Sequence, residues 1–423
     1  MPDRRCLLSE FHEKERRPHL ETIQHGDMRV PIKTWLPTAE IEAGAMEQLV
    51  NAASHPEAAL AVAAMPDTHV GFGVSIGCVL PTANAVLPNA VGVDIGCGMC
   101  AIDTGVPLDR ERMDKAFWRA WSGQVSRNIP TGFGVHKHAQ DLGALDRPLQ
   151  ATALQPLIRE KAAFQLGTLG GGNHFLEAQV DERGIIWLMV HSGSRHTGLR
   201  IADHYNRLAI ENTVARKLAT GKDLASLPLD DETGQDYLAD MQWATDFALA
   251  SRTKMVEGML AQLHHVLTTS RIAVDIGNPA PMINIHHNFA SLEIHGGQEV
   301  MVHRKGATSA FAGQIGIIPG SMGARSYIVR GKGNPESLMS CSHGAGRRMS
   351  RNVARKTIDT NAFSASLAAA GTFTKASQGY LDEAPAAYKD IETVIARQAD
   401  LIEIVHTLTP IITVKGDSRA RED

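Results

Sequence analysis

The 423-residue sequence contains no run approaching the ~18 consecutive apolar residues that a helical membrane span requires. Its first residues, MPDRRCLLSEFHEKERR, are too charged to include the apolar stretch of a secretion signal, so a cytoplasmic address is expected. Cysteine is scarce. The five present (Cys6, Cys78, Cys97, Cys100 and Cys341) form an odd set without disulfide-like spacing, which excludes a disulfide scaffold and favours thiolate chemistry or metal binding. No internal repeat and no Pro- or Ser-rich linker divides the chain. Apolar residues make up 43% and charged residues 21%, which excludes disorder and collagen-like repeats and leaves ample material for a core.

Against this average background the sequence has 19 His and 38 Gly. Its net charge is −4, which at first argues against a nucleic-acid partner. Residues 301–356, however, hold ten Lys/Arg and a single acid, Glu336. This local charge of +9 leaves −13 for the remainder. A basic block in an acidic chain is a candidate footprint for phosphates. The competing reading for Arg347 to Lys356 is a solvated helix face.

The pattern predicts an α+β chain: a charged extension over 1–25, then one compact catalytic domain over 26–423, with a largely helical insertion at 199–268. Thr38 is expected to cap a helix over 39–53. Strands are expected at 185–190, 271–275, 299–303, 314–318, 325–330 and 411–414. Helices are expected over 199–219, 236–268 and from about Pro385 through Val405, with Gln398 interrupting the apolar face of the last.

The chemistry-bearing residues lie in glycine-rich loops. Val91-Gly-Val-Asp94-Ile-Gly-Cys97-Gly-Met99 places a carboxylate and a thiol three residues apart between glycines that let the backbone turn. Three further loops each offer imidazole: Gly170-Gly-Gly-Asn173-His174, His191-Ser-Gly-Ser-Arg195 and Asn284-Ile-His286-His287-Asn288. Carboxylate, thiolate and imidazoles together suit Zn, Mn, Fe or Co rather than Mg or Ca, and a thiolate can bridge two ions. Gly167 to Asn173 and Pro319 to Ser326 offer unshielded backbone N–H groups of the kind that cradle phosphates, although neither matches the P-loop pattern. Ser340-Cys-Ser-His343-Gly-Ala-Gly-Arg347 places a histidine just before a basic helix, whose N-terminus can hold an anion. Neutral imidazole is a competent nucleophile towards phosphorus.

In this order, G-V-D-I-G-C-G-M, G-G-G-N-H-F-L-E, H-S-G-S-R, H-H-N, H-R-K-G-A-T, P-G-S-M-G-A-R-S and S-C-S-H-G-A-G-R resemble the RtcB family of GTP-dependent RNA ligases. The likeness runs from about Pro31 to Gly416, and M-P-D-x-H (Met65 to His69) and V-K-G also fit. It implies joining of RNA 3′-phosphate or 2′,3′-cyclic phosphate ends to 5′-hydroxyl ends, with His343 carrying GMP derived from GTP. It implies two Mn ions held by Asp94, Cys97, His174, His191 and His287, with Cys97 bridging. His286 is left off because the family's ligand aligns with the histidine directly before Asn288. The guanylate positions match Asn173, His174, Phe175, Leu176, Glu177, His287, Asn288, Pro319, Gly320, Ser321, Met322, Ser326, His343, Gly344, Ala345, Gly346 and Lys415. Arg195, Lys305, Arg325 and Arg347 suit the RNA phosphates. A monomer is expected, and an accessory activator is compatible with the resemblance. Three rival readings are a GTP-independent two-metal phosphoesterase, a paralogue acting on DNA 3′-phosphate ends, and a metal-stabilised RNA-binding module.

Overall fold

The computed structural model describes residues 19–26, 28–274 and 279–416. Two large sheets organise it. One has six strands in the order Glu21–Ile23, Ile32–Thr34, Val62–His69, Ile76–Thr82, Gln298–Lys305 and Asn288–His295. Only the pairing of Ile32–Thr34 with Val62–His69 is parallel. The other sheet has seven antiparallel strands in the order Ile283–His286, Gly98–Pro107, Ile185–Ser192, Phe175–Val180, Ile402–Val414, Ser326–Gly331 and Ile315–Ile318. The chain passes from the second sheet to the first through one residue, His287, between Ile283–His286 and Asn288–His295. Mixed helices and sheets make the fold α+β.

Helix Glu232–Thr269 supports the seven-stranded sheet. Its Tyr237, Met241, Trp243 and Phe247 enter one apolar cluster, and Met255, Met259 and Leu263 enter another. The four-residue steps from Trp243 to Phe247 and from Met255 to Leu263 keep these side chains on one face. Burial of each stabilises the fold by roughly 1.5–3 kcal/mol. Four polar residues, Asp240, Thr245, Ser251 and Arg252, interrupt the buried stripe, and the last two are fully buried. Helix Arg195–Ala215 packs beside it. Among the described residues no helix is long and apolar enough to cross a membrane.

Several expected elements differ. Residues 1–18 of the charged extension lie outside the described residues, while Glu21–Ile23 forms the edge strand of the six-stranded sheet. Thr38 does not cap a helix. Its hydroxyl and backbone N–H both donate to Glu21 Oε2, and the helix starts later, at Ala43–Ala53. Residues 271–274 are not a strand, and 275 lies outside the described residues. The last expected helix stops at Arg397, and Ile402–Val414 is one 13-residue strand. The break falls at Gln398, whose buried side chain accepts the backbone N–H of Ser342 at 2.9 Å. Beyond it, β-branched residues suit the half-buried pleat.

A candidate metal and nucleotide cleft

All five residues expected to bind metal converge where the two sheets meet. Gly96 takes a left-handed conformation, φ +70°, between Asp94 and Cys97. Gly98 must be glycine because a Cβ there would lie 1.9 Å from the Ile285 carbonyl oxygen. The turn brings Asp94 Oδ2 to 3.0 Å from His174 Nε2. Cys97 Sγ lies 3.5 Å from His174 Nε2 and 3.3 Å from His191 Nε2. His191 Nε2 is in turn 3.3 Å from His287 Nε2. The donor atoms of Cys97, His174 and His191 all lie within 4.8 Å of one another, and all three residues are buried.

The histidines are oriented from behind. His174 Nδ1 donates to the Leu169 carbonyl at 3.1 Å, and His191 Nδ1 to the Asn173 carbonyl at 3.2 Å. This assignment follows from the network, since carbonyls only accept, and it turns both Nε2 atoms to the cluster; an ion there would replace the proton that His174 Nε2 shares with Asp94. Burial holds His191 and His287 well below the usual imidazole range, so both are neutral and able to ligate. Burial opposes ionisation of Asp94, yet the hydrogen bond and charge of His174 prevail and hold its carboxyl at about 2. A buried thiol, a partly buried carboxylate and buried imidazoles, mutually facing, fit a borderline divalent ion.

His287 and His286 face opposite sides at the end of the strand, as the two-residue pleat requires. His287 joins the cluster, while His286 accepts from the Arg252 guanidinium at 3.3 Å.

His343 stands next to the cluster, its ring centroid 4.8 Å from that of His287. It follows the short strand Ser340–Ser342 and is not at a helix N-terminus. The basic helix begins only at Arg351, capped by Ser350, which corrects the expected placement. Asp67 Oδ2 accepts both the His343 backbone N–H, at 3.2 Å, and its ring Nδ1–H, at 2.7 Å. Asp67 is fully buried. The Nε2 lone pair of His343 is thereby left for chemistry.

The cluster and His343 open into a cleft of about 340 Å³. Asn173, Phe175, Glu177, Asn288 and Lys415 line it, together with Pro319 to Met322 and Gly344 to Gly346. Comparison with known proteins identifies the family. A family model described as tRNA-splicing ligase RtcB matches residues 48–155 and 137–416. The RNA-splicing ligase RtcB of Escherichia coli K12 is 40% identical over 405 residues, covering 91% of this chain and 97% of that protein. The tRNA-splicing ligase RtcB of Archaeoglobus fulgidus is 31% identical over 451 residues, covering 89% and 92%. The chain belongs to the RtcB family.

Two of the residues matched to RtcB guanylate positions do not face the cleft. Leu176 lies in the apolar core, because the strand alternation that turns Phe175 and Glu177 inward turns it away. Ser326 is buried behind the Pro319 loop, where its hydroxyl accepts from Gln179 at 3.0 Å and from the Gly320 N–H at 3.3 Å. It shapes the wall without lining it.

The basic residues depart further from expectation. Lys305 is buried, and its ammonium donates to the Phe72 and Asn89 carbonyls, so it is turned away from the cleft. Arg304 is fully buried against Glu293. Arg347 lines the cleft but is shared among the Asp382 carbonyl, Glu383 and the Tyr388 hydroxyl. Arg351 and Arg355 pair with Asp382, and exposed Arg325 stands 3.5 Å from Glu392. Acids outside the 301–356 block therefore neutralise much of its +9. Arg195 packs against the glycine-rich loop, with a guanidinium N–H 3.4 Å from the Gly132 carbonyl.

Sequence reading missed Asp67, whose only signal was its place in M-P-D-x-H, and Glu383, which lies in no motif. Glu383 lines the cleft, accepts from Tyr388 at 2.8 Å, and stands 3.3 Å from Lys415 Nζ.

Glu177 supports a pH prediction. Burial raises its carboxyl to about 7, against opposing hydrogen bonds from Thr413 and Gln179. The native state then binds a proton that the unfolded chain has released, so stability falls as pH rises from 4.5 to 7. The contribution lost is on the order of 3 kcal/mol. Denaturant unfolding at pH 5 and 8 should show Glu177→Gln gaining stability relative to the native chain at the higher pH. A constant difference between the two proteins would contradict the assignment.

Proposed function

We propose that the chain is a GTP- and Mn²⁺-dependent RNA ligase that joins 3′-phosphate or 2′,3′-cyclic phosphate ends to 5′-hydroxyl ends, in RNA repair or tRNA splicing. The observation that carries this reading is a histidine with a free Nε2 beside a buried Asp/Cys/His cluster. RtcB membership and the names of the relatives support it.

Asp94, Cys97, His174, His191 and His287 would hold the divalent ions. Bound divalent ions there supply positive charge to phosphate oxygens. His343 Nε2 attacks the α-phosphorus of GTP, forming a P–N bond as the α–β anhydride breaks and pyrophosphate leaves. Asp67 keeps the proton on Nδ1, aims the ring, and stabilises the imidazolium that bond formation creates. An oxygen of the RNA 3′-phosphate then takes the GMP, and the bonding pair returns to His343 Nε2. The 5′-hydroxyl attacks the activated 3′-phosphorus and GMP departs. A 2′,3′-cyclic end is first opened by hydrolysis. The 3′-phosphate carries about two negative charges near neutral pH, so cationic surroundings are needed for its approach. Glu177, once ionised as pH rises past about 7, would favour guanine, which offers N1–H and an exocyclic amine, whereas adenine N1 is an acceptor.

Incubation with α-labelled GTP and Mn²⁺ tests the reading. A protein–GMP adduct stable to alkali and lost in acid is expected, and its absence would overturn the covalent mechanism. Asp67→Asn should bind metal as the native chain does yet form the adduct at least about 10²-fold more slowly. An unchanged rate would remove Asp67 from the mechanism.

A further inference from the structure

We infer that Arg252 is the positioning residue of the metal centre, one guanidinium holding in register the three chain segments that carry Asp94 and Cys97, His191, and His287. Its Nη1 donates to two carbonyls at 2.8 Å each: that of Gly96, between Asp94 and Cys97, and that of Ser192, directly after His191. Nε donates to Asn284 Oδ1 at 2.8 Å, and Nη2 to His286 Nδ1 at 3.3 Å, on the strand that leads into His287. Asn284 is itself tied back to the helix of Arg252, donating to the Leu249 carbonyl at 3.1 Å. The three segments are remote in sequence, and a single side chain from the middle of helix Glu232–Thr269 spans them.

A fully buried cation is costly unless something requires it. All four of its hydrogen-bond acceptors are neutral: two carbonyls, an amide and an imidazole that burial keeps uncharged, at about 3. Burial lowers its pKa to about 10, so it stays charged at neutral pH. Its planar fork fixes loop geometry that a point-charge ammonium cannot reproduce.

This assignment rests on the metal-centre reading above, and its test uses metal alone, without GTP or RNA. Co²⁺ is titrated into the native chain, Arg252→Lys and Arg252→Met, following the thiolate-to-cobalt charge-transfer band, with circular dichroism reporting the fold. Folded variants should bind Co²⁺ about 10–100-fold more weakly. If neither Arg252 variant folds, Asn284→Ala carries the test: it removes one acceptor, keeps the charge, and should weaken Co²⁺ binding about 3–10-fold. Native affinity in folded variants, or full rescue by lysine, would overturn the assignment. Absence of the band in the native chain would instead overturn the metal reading and this assignment with it.

Discussion

His343→Ala, incubated with α-labelled GTP and Mn²⁺, forms no covalent GMP adduct and joins no RNA, while retaining its fold and its metal. The loss is complete because no neighbouring imidazole can substitute. His287 and His191 direct Nε2 into the cluster. His69 uses Nδ1 towards the Asp67 carbonyl, 2.9 Å away, and burial lowers its pKa to about 4. His343 alone has Nδ1 on a carboxylate and the ring at the cleft wall. Its side chain is only 16% exposed and pairs with the buried Asp67 carboxylate, so alanine should also lower thermal stability. Circular dichroism and retained Mn²⁺ on the folded variant separate loss of chemistry from loss of structure. An adduct on the alanine variant, mapped to any residue, would remove His343 as nucleophile.

Cys97→Ala is expected to have the second large effect: loss of bound Mn²⁺ and, with it, of guanylylation. Sγ is the atom shared by His174 and His191, so its removal takes the centre from the donor set. A thiolate that bridges two ions contributes to both sites, and alanine offers neither charge nor lone pair. Metal content after desalting is the direct measure. Unchanged Mn²⁺ in folded Cys97→Ala would contradict a bridging thiolate, even if activity fell. Cys97→Ser separates softness from charge: a neutral hydroxyl should leave Mn²⁺ binding weak as well.

Much of this centre is legible in sequence because glycine marks it. Asp94 and Cys97 sit in a turn that needs Gly96 at positive φ, and His174 and His191 each border a glycine-rich loop. The choice between His286 and His287 cannot be made from residue type. It depends on strand alternation at a crossover between two sheets, visible only once the pairing is known. Asp67 escapes for a related reason, lying 276 residues from His343 with no local pattern linking them. Arg252 is hidden more deeply, as one of four buried polar side chains in a helix whose buried face is mostly apolar. The +9 block shows the limit of counting charge along a chain. Its partners Glu293, Asp382, Glu383, Glu392 and Glu403 all lie outside the counted window. The final helix is overextended for the same reason that short apolar runs are ambiguous: Leu401, Ile402 and Val405 fit a helical face, but the buried Gln398 ends the helix and the strand claims them.

The central claim is tested most directly by mixing a 3′-phosphate RNA with a 5′-hydroxyl RNA. The strands are supplied with GTP, ATP or no nucleotide, and with Mn²⁺ or Mg²⁺, alongside a DNA 3′-phosphate strand. The account predicts a joined RNA only with GTP and Mn²⁺. Free phosphate released without joining, joining that needs no nucleotide, or GMP capping confined to the DNA strand would contradict it.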